Sequence, residues 1–100
     1  MVAWGIVGRK QQTPQKVTTG RFEIEQDGEV ASLEYSMTGN VLELIHTEIP
    51  NKLRRQGIAS LLADNALRWA RDNGFKVDVI CPSVLQYITT HPEYSDLVLR

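Results

Sequence analysis

Between residues 22 and 37 apolar and polar positions alternate at period two. Phe22 and Ile24 alternate with Glu23 and Glu25. After Gln26-Asp27-Gly28-Glu29, Ala31, Leu33, Tyr35 and Met37 alternate with Ser32, Glu34 and Ser36. Successive side chains of an extended chain point to opposite faces, so each run predicts a strand with one buried face. Asp27-Gly28 predicts a tight hairpin between them, because the favoured two-residue turn needs positive φ at its centre. Thr38-Gly39-Asn40 predicts a second turn. The next run, VLELIHTEI, is denser in apolar residues, as expected of a central strand. In simple alternation His46 falls in phase with Leu42 and Leu44. Three antiparallel strands in meander order result.

From Ile58 the period changes. Ile58, Leu61, Leu62, Ala66, Trp69 and Ala70 form one stripe at helical spacing, and Ser60, Asp64, Arg68 and Arg71 lie opposite. Asp64 precedes Arg68 by four residues, the favoured order for a pair on a helix. Asn73-Gly74 predicts a left-handed stop. Phe75, Val77, Val79 and Cys81 alternate as a fourth strand, which Pro82 ends. Ser83 is expected to cap a short second helix, VLQYITTH, stopped by Pro92. The final DLVLR predicts a short closing strand. The fold class is therefore α+β: an antiparallel meander of three strands followed by helix, strand and short helix. Residues 1–16 lack a period. They read as an N-terminal arm, poorly ordered, or as a first strand at VAWGIV, with residues 17–100 forming a single domain.

One hundred residues suffice for one core. A net charge of −1 provides no global attraction to nucleic acid or to an anionic membrane, so any anion site is local. No apolar run approaches the roughly 18 residues of a membrane span. The short apolar stretch near the start precedes its basic residues, the reverse of a secretory signal, so a cytoplasmic location is expected. Cys81 is the only cysteine, which excludes an internal disulfide and a cysteine-based metal cluster, and no metal is expected. It leaves a buried small hydrophobe or a reactive thiol.

The stretch RRQGIASLL places cations where a helix begins. The first helical amides have no partner inside the helix, and aligned peptide dipoles leave about +0.5 charge there. Arginines at that end cost the isolated helix roughly 0.3–1 kcal/mol. A bound anion reverses the sign, since phosphate oxygens accept from both the orphan amides and the arginines. Gly57 permits close backbone approach and Ala59 keeps the next turn free of bulk. A solvated basic loop before an ordinary helix is the alternative.

Arg54-Arg55-Gln56-Gly57-Ile58-Ala59 resembles the pyrophosphate loop of the GNAT acetyltransferase superfamily, Q/R-x-x-G-x-G/A. IHTEIPNKLRRQGIASLL and VICPSVLQYITTHPEYSDLV are similar to the very small single-domain branch of that superfamily. Its members carry His-Thr before a proline, Cys-Pro after the helix and His-Pro-Glu-Tyr near the end. The resemblance covers about residues 21 to 98. It implies a minimal GNAT-like fold that binds acetyl-coenzyme A, with the pyrophosphate on the amides of Gln56, Gly57, Ile58 and Ala59. Arg54 supports the phosphates in that reading, and Lys52 and Arg55 are outer contacts. The acetyl group lies in a splay between the third and fourth strands. Family loops often read R-G-Q-G, and Arg55 replaces that first glycine. Val79 stands where a proline is common, and Ser83 where an aromatic is frequent.

Acetyl transfer to an amine needs a base for the amine, a stabilised oxyanion and a proton for the leaving thiolate. His46 and Cys81 are the catalytic candidates, since imidazole changes charge near neutral pH and the cysteine ends the strand beside the thioester. Direct transfer uses His46 as base, with Cys81 lining the pocket or protonating the thiolate. A covalent route has Cys81, activated by His46, take the acetyl group first. Both remain open, as do core roles for both residues. Tyr87, four residues after Ser83, is a candidate cofactor contact through its hydroxyl. The acceptor is an amine of a small molecule or of a protein, with neither nucleic acid nor membrane as partner. The alternative function is a coenzyme A-binding or protein-interaction module without efficient catalysis.

Overall fold

Asp27 and Gly28 carry φ of 54° and 77°. That left-handed pair reverses the chain between β2 (Val17–Gln26) and β3 (Glu29–Thr38), with Gln26 facing Glu29. A second turn joins β3 to β4 (Val41–Glu48), again antiparallel. In this computed structural model residues 3–6 and 17–99 are described, with side chains from residue 19 onward. Residues 3–6 form β1 (Ala3–Ile6), an antiparallel neighbour of β2. The expected order or disorder of the rest of residues 1–16 lies outside the described residues.

The meander is followed by α1 (Ile58–Asn73), β5 (Lys76–Val79) and α2 (Pro82–Thr90). The five strands lie in sequence order, with β5 parallel to β4. Helix α1 stops where the notched pair Asn73-Gly74 places it: Gly74, at φ 74°, bonds back to the carbonyls of Ala70 and Arg71. One sheet face, carrying Phe22, Leu33, Tyr35, Leu44 and Val77, is sealed by Leu62, Ala66, Leu67 and Ala70 of α1. Trp69 packs over Phe22 and Phe75 with ring centroids at 5.7 and 5.2 Å. Leu61, placed in the apolar stripe by spacing, is 39% exposed; Ala63 and Leu67 take the buried positions instead.

Three further expectations change. Pro92–Leu97 winds into a 3-10 turn held by bonds such as Tyr94 N–H to the His91 carbonyl. The closing strand shrinks to a single parallel bridge between Val98 and Val77. Second, β5 ends at Val79 rather than Cys81. The amides of Ile80 and Cys81 both donate to the Leu44 carbonyl at 2.9 Å, and β5 then leaves the sheet while β4 continues to Glu48.

The third concerns phase. Tyr35 faces Leu44, but Glu34 faces His46, so Ile45 is an extra residue in β4. A bulge of this kind inverts the alternation beyond it. His46 is therefore not in phase with Leu42 and Leu44. It is exposed, on the outer face with Glu34, and Thr47 takes the inner face opposite fully buried Leu33.

Candidate functional site

Leaving β4, the chain makes a 3-10 turn at Asn51–Leu53 and buries Leu53 completely. That anchor fixes the start of the basic loop. Arg54 is extended, and its Nε donates to the Ile49 carbonyl at 3.2 Å. Arg55 takes φ 67°. Gln56 donates through Nε2 to the Lys52 carbonyl at 2.8 Å and accepts at Oε1 from Gln26, also at 2.8 Å. Its side chain braces the loop, so an anion is left its backbone amide.

Gly57, at φ 76°, is the N-cap of α1. Helix α1 has no side-chain cap and no acidic residue in its first turn. The first bond across the cap runs from Leu61 N–H to the Gly57 carbonyl, which leaves the amides of Ile58, Ala59 and Ser60 without intrahelical acceptors. These residues, with Arg54, Arg55 and Gly57, line an open cleft of about 400 Å³ that extends to Thr47 and Ser83. Four donor-rich features therefore converge on one recess: two guanidinium groups, a bare glycine and an uncapped helix start.

Against Thr47 of the cleft wall lies Cys81, 3% exposed, as the N-cap of α2. Pro82 occupies the first helical position, where its missing N–H costs nothing. Ser83 is thus inside the first turn and not the cap that the sequence suggested. Thr47 Oγ1 is 3.1 Å from Cys81 Sγ. Burial pushes the thiol pKa up, but hydrogen bonds from Thr47, from the amides of Val84 and Ser83 and from the Ser83 hydroxyl outweigh it, and the net shift is downward.

The structure does not bring His46 to this thiol. His46 faces a second recess, about 790 Å³, on the outer face beside Arg21, Glu23 and Glu48. Arg21 Nε and Glu23 are paired with each other at 3.2 Å. The two recesses meet at Thr47, Ile49 and Arg54, which line both.

Tyr87 is also placed elsewhere. Its hydroxyl donates to Asp64 Oδ1 at 2.9 Å, and Tyr94 donates to the same oxygen at 2.6 Å. Arg68 Nε contacts Asp64 Oδ2 at 2.9 Å. Burial and the Asp64 carboxylate push Tyr87 up to about 12. Burial opposes ionisation of Asp64, yet Tyr94, Tyr87, Arg68 and His91 together hold its pKa below the ordinary value. The Tyr87 ring stacks on His91 at 3.9 Å, and His91 caps α2. Tyr87, His91 and Tyr94 thus tie α2 and the C-terminal turn to α1, and the hydroxyl expected at the cofactor is hydrogen-bonded to Asp64.

Sequence reasoning missed Thr47 and Asp64. The His-Thr pair carried the signal for Thr47, but only the bulge decides which of the two faces inward. Asp64 was read as one half of a helical ion pair, without its two tyrosines. Among the described residues no cluster of His, Cys, Asp and Glu could hold a metal ion, and no helix is long and apolar enough to cross a membrane.

The family model described as GCN5-related N-acetyl-transferase matches residues 21–97. No curated protein matches the chain significantly.

Proposed function

The chain belongs to the GCN5-related N-acetyl-transferase family, and from that premise we propose that it transfers the acetyl group of acetyl-coenzyme A to an amine. One observation carries this reading: the uncapped start of α1, with Gly57 at φ 76° and Arg54 and Arg55 beside it, opens onto a cleft that is also lined by Thr47, the hydrogen-bond partner of Cys81. Those groups fit a diphosphate. The amides of Gly57, Ile58, Ala59 and Gln56 donate to phosphate oxygens, and the guanidinium groups of Arg54 and Arg55 neutralise their charge. The thioester then points along the cleft, into the wedge where β5 leaves β4.

Direct transfer suits the division of faces. An amine approaching from the outer recess meets His46, which takes its proton as the N–C bond forms. The C–S bond breaks on the inner face, and Cys81 supplies a proton to the departing thiolate. A thiol held below its ordinary pKa gives up that proton downhill to an ordinary alkanethiolate. Solvent then restores both residues. A covalent route activated by His46 has no comparable support, because the imidazole lies across the strand from the sulfur.

Isothermal titration with coenzyme A and acetyl-coenzyme A, joined to turnover across a panel of small amines and lysine peptides, tests the proposal. Saturable binding with acetylated product is the expected result. Binding without turnover would leave a coenzyme A-binding module, and failure to bind would remove the proposal altogether.

A further inference from the structure

We propose that Thr47, which lines the cleft, is a positioning residue for Cys81: its hydroxyl fixes the thiol against the cleft wall, on the face that plain alternation along β4 assigns to His46. The inference rests on reading that cleft as the seat of the thioester. The contact, 3.1 Å from Thr47 Oγ1 to Cys81 Sγ, joins residues 34 apart in sequence. It depends on the extra residue Ile45, which turns Thr47 inward opposite Leu33.

The sulfur is gripped from two sides. From α2 come the amides of Ser83 and Val84 and the Ser83 hydroxyl, and from β4 comes Thr47. Val84 is 1% exposed and Leu33 fully buried, so neither side of the grip is loose. A threonine is suited to this place. Its hydroxyl accepts from a thiol and donates to a thiolate, so the contact survives either protonation state. Branching at Cβ restricts its side chain to few conformers on a strand, which holds the hydroxyl in one direction. The groups acting on the sulfur are neutral. The charged residues of the cleft that Thr47 lines, Arg54 and Arg55, belong to the basic loop before α1.

The full chain, Thr47→Val and Thr47→Ser are alkylated with iodoacetamide over a range of pH without cofactor, and the same samples are titrated with coenzyme A. Thr47→Val keeps the shape and removes the hydroxyl. The midpoint of Cys81 alkylation is expected to rise by roughly 0.5–1 pH unit, the worth of one hydrogen bond. Thr47→Ser is expected to restore it. In acetyl transfer kcat falls about tenfold in Thr47→Val and recovers in Thr47→Ser. Where valine is not accommodated, Thr47→Ala removes the same hydroxyl and gives the same reading. An alkylation profile unchanged from the parent overturns the proposal, and so does a shift that Thr47→Ser fails to reverse. Failure of the parent to bind coenzyme A overturns the functional reading instead and leaves the alkylation result standing.

Discussion

Arg55 and Gly57 both adopt left-handed backbone, at φ 67° and 76°, with Gln56 between them. For glycine this carries no steric cost, whereas a residue with a Cβ bears about 1–2 kcal/mol there. Gln56, bonded to Lys52 and Gln26, and buried Leu53 hold the loop in that shape. Arg55→Gly removes the strain but gives the unfolded chain more freedom, so a net gain of roughly 0.5–1 kcal/mol is expected. It also removes one cation from the cleft. The variant should melt a few degrees higher and bind coenzyme A several-fold more weakly. Calorimetric scans with and without coenzyme A read both effects; an unchanged affinity would take Arg55 out of the site.

At Gly57 an added Cβ meets nothing within 4 Å. Gly57→Ala and Gly57→Glu therefore share the same backbone strain, about 1–2 kcal/mol, and should have similar melting temperatures. They differ in charge. A carboxylate at the start of α1 competes for the amides that would hold phosphate. Gly57→Glu should lose measurable coenzyme A binding, and Gly57→Ala should keep most of it. Equal affinities would place the phosphates away from this loop.

The meander, the helix after the basic loop and the parallel strand were legible because each follows a local rule: period two, period 3.6, or a turn residue that needs positive φ. Gly57, Arg54 and Arg55 were legible for the same reason, since a helix start announces its own polarity. Thr47 was not. An extra residue in a strand leaves no local signature, yet it exchanges the faces of every side chain beyond it. The Asp64 network was equally hidden, because Tyr87 and Tyr94 are 23 and 30 residues away in sequence. DLVLR was read by composition alone, while the bonds around Pro92 and Ser95 wind its first two residues into a turn and leave Val98 a single bridge.

Tyr87→Phe separates the two places proposed for that hydroxyl. In the structure it donates to Asp64 and is not among the residues that line the cleft at the start of α1. The substitution should cost about 1 kcal/mol of stability and leave kcat within about threefold. A loss of 10²-fold or more in kcat, at intact folding, would return the hydroxyl to the chemistry.

Asp64 gives a test by pH. Its native pKa is lowered, so its ionised form contributes stability that is fully present above the unfolded carboxylate value and is lost as pH falls through the lower native value. Asp64→Asn keeps the shape, removes the charge, and should cost about 1–3 kcal/mol near neutral pH. The gap between parent and variant should narrow on acidification below about pH 4. Urea titrations at neutral and acidic pH measure it. A gap that does not depend on pH would mean that hydrogen bonding without charge explains the network.

His46 provides the most direct check on the faces of β4. Its partner across the strand is Glu34, which is exposed, while Thr47 pairs with buried Leu33. The imidazole therefore lines the outer recess and the sulfur lies against Thr47, and the two recesses share only Thr47, Ile49 and Arg54. If His46 is the base for an incoming amine, His46→Ala should lower acetyl transfer by about 10²–10⁴-fold. It should leave the pH profile of Cys81 alkylation unchanged, because no contact joins the two side chains. Transfer within about threefold of the parent would leave the proton to another group. A shifted alkylation profile would put imidazole and thiol on one face, and the bulge at Ile45 could then no longer account for the site.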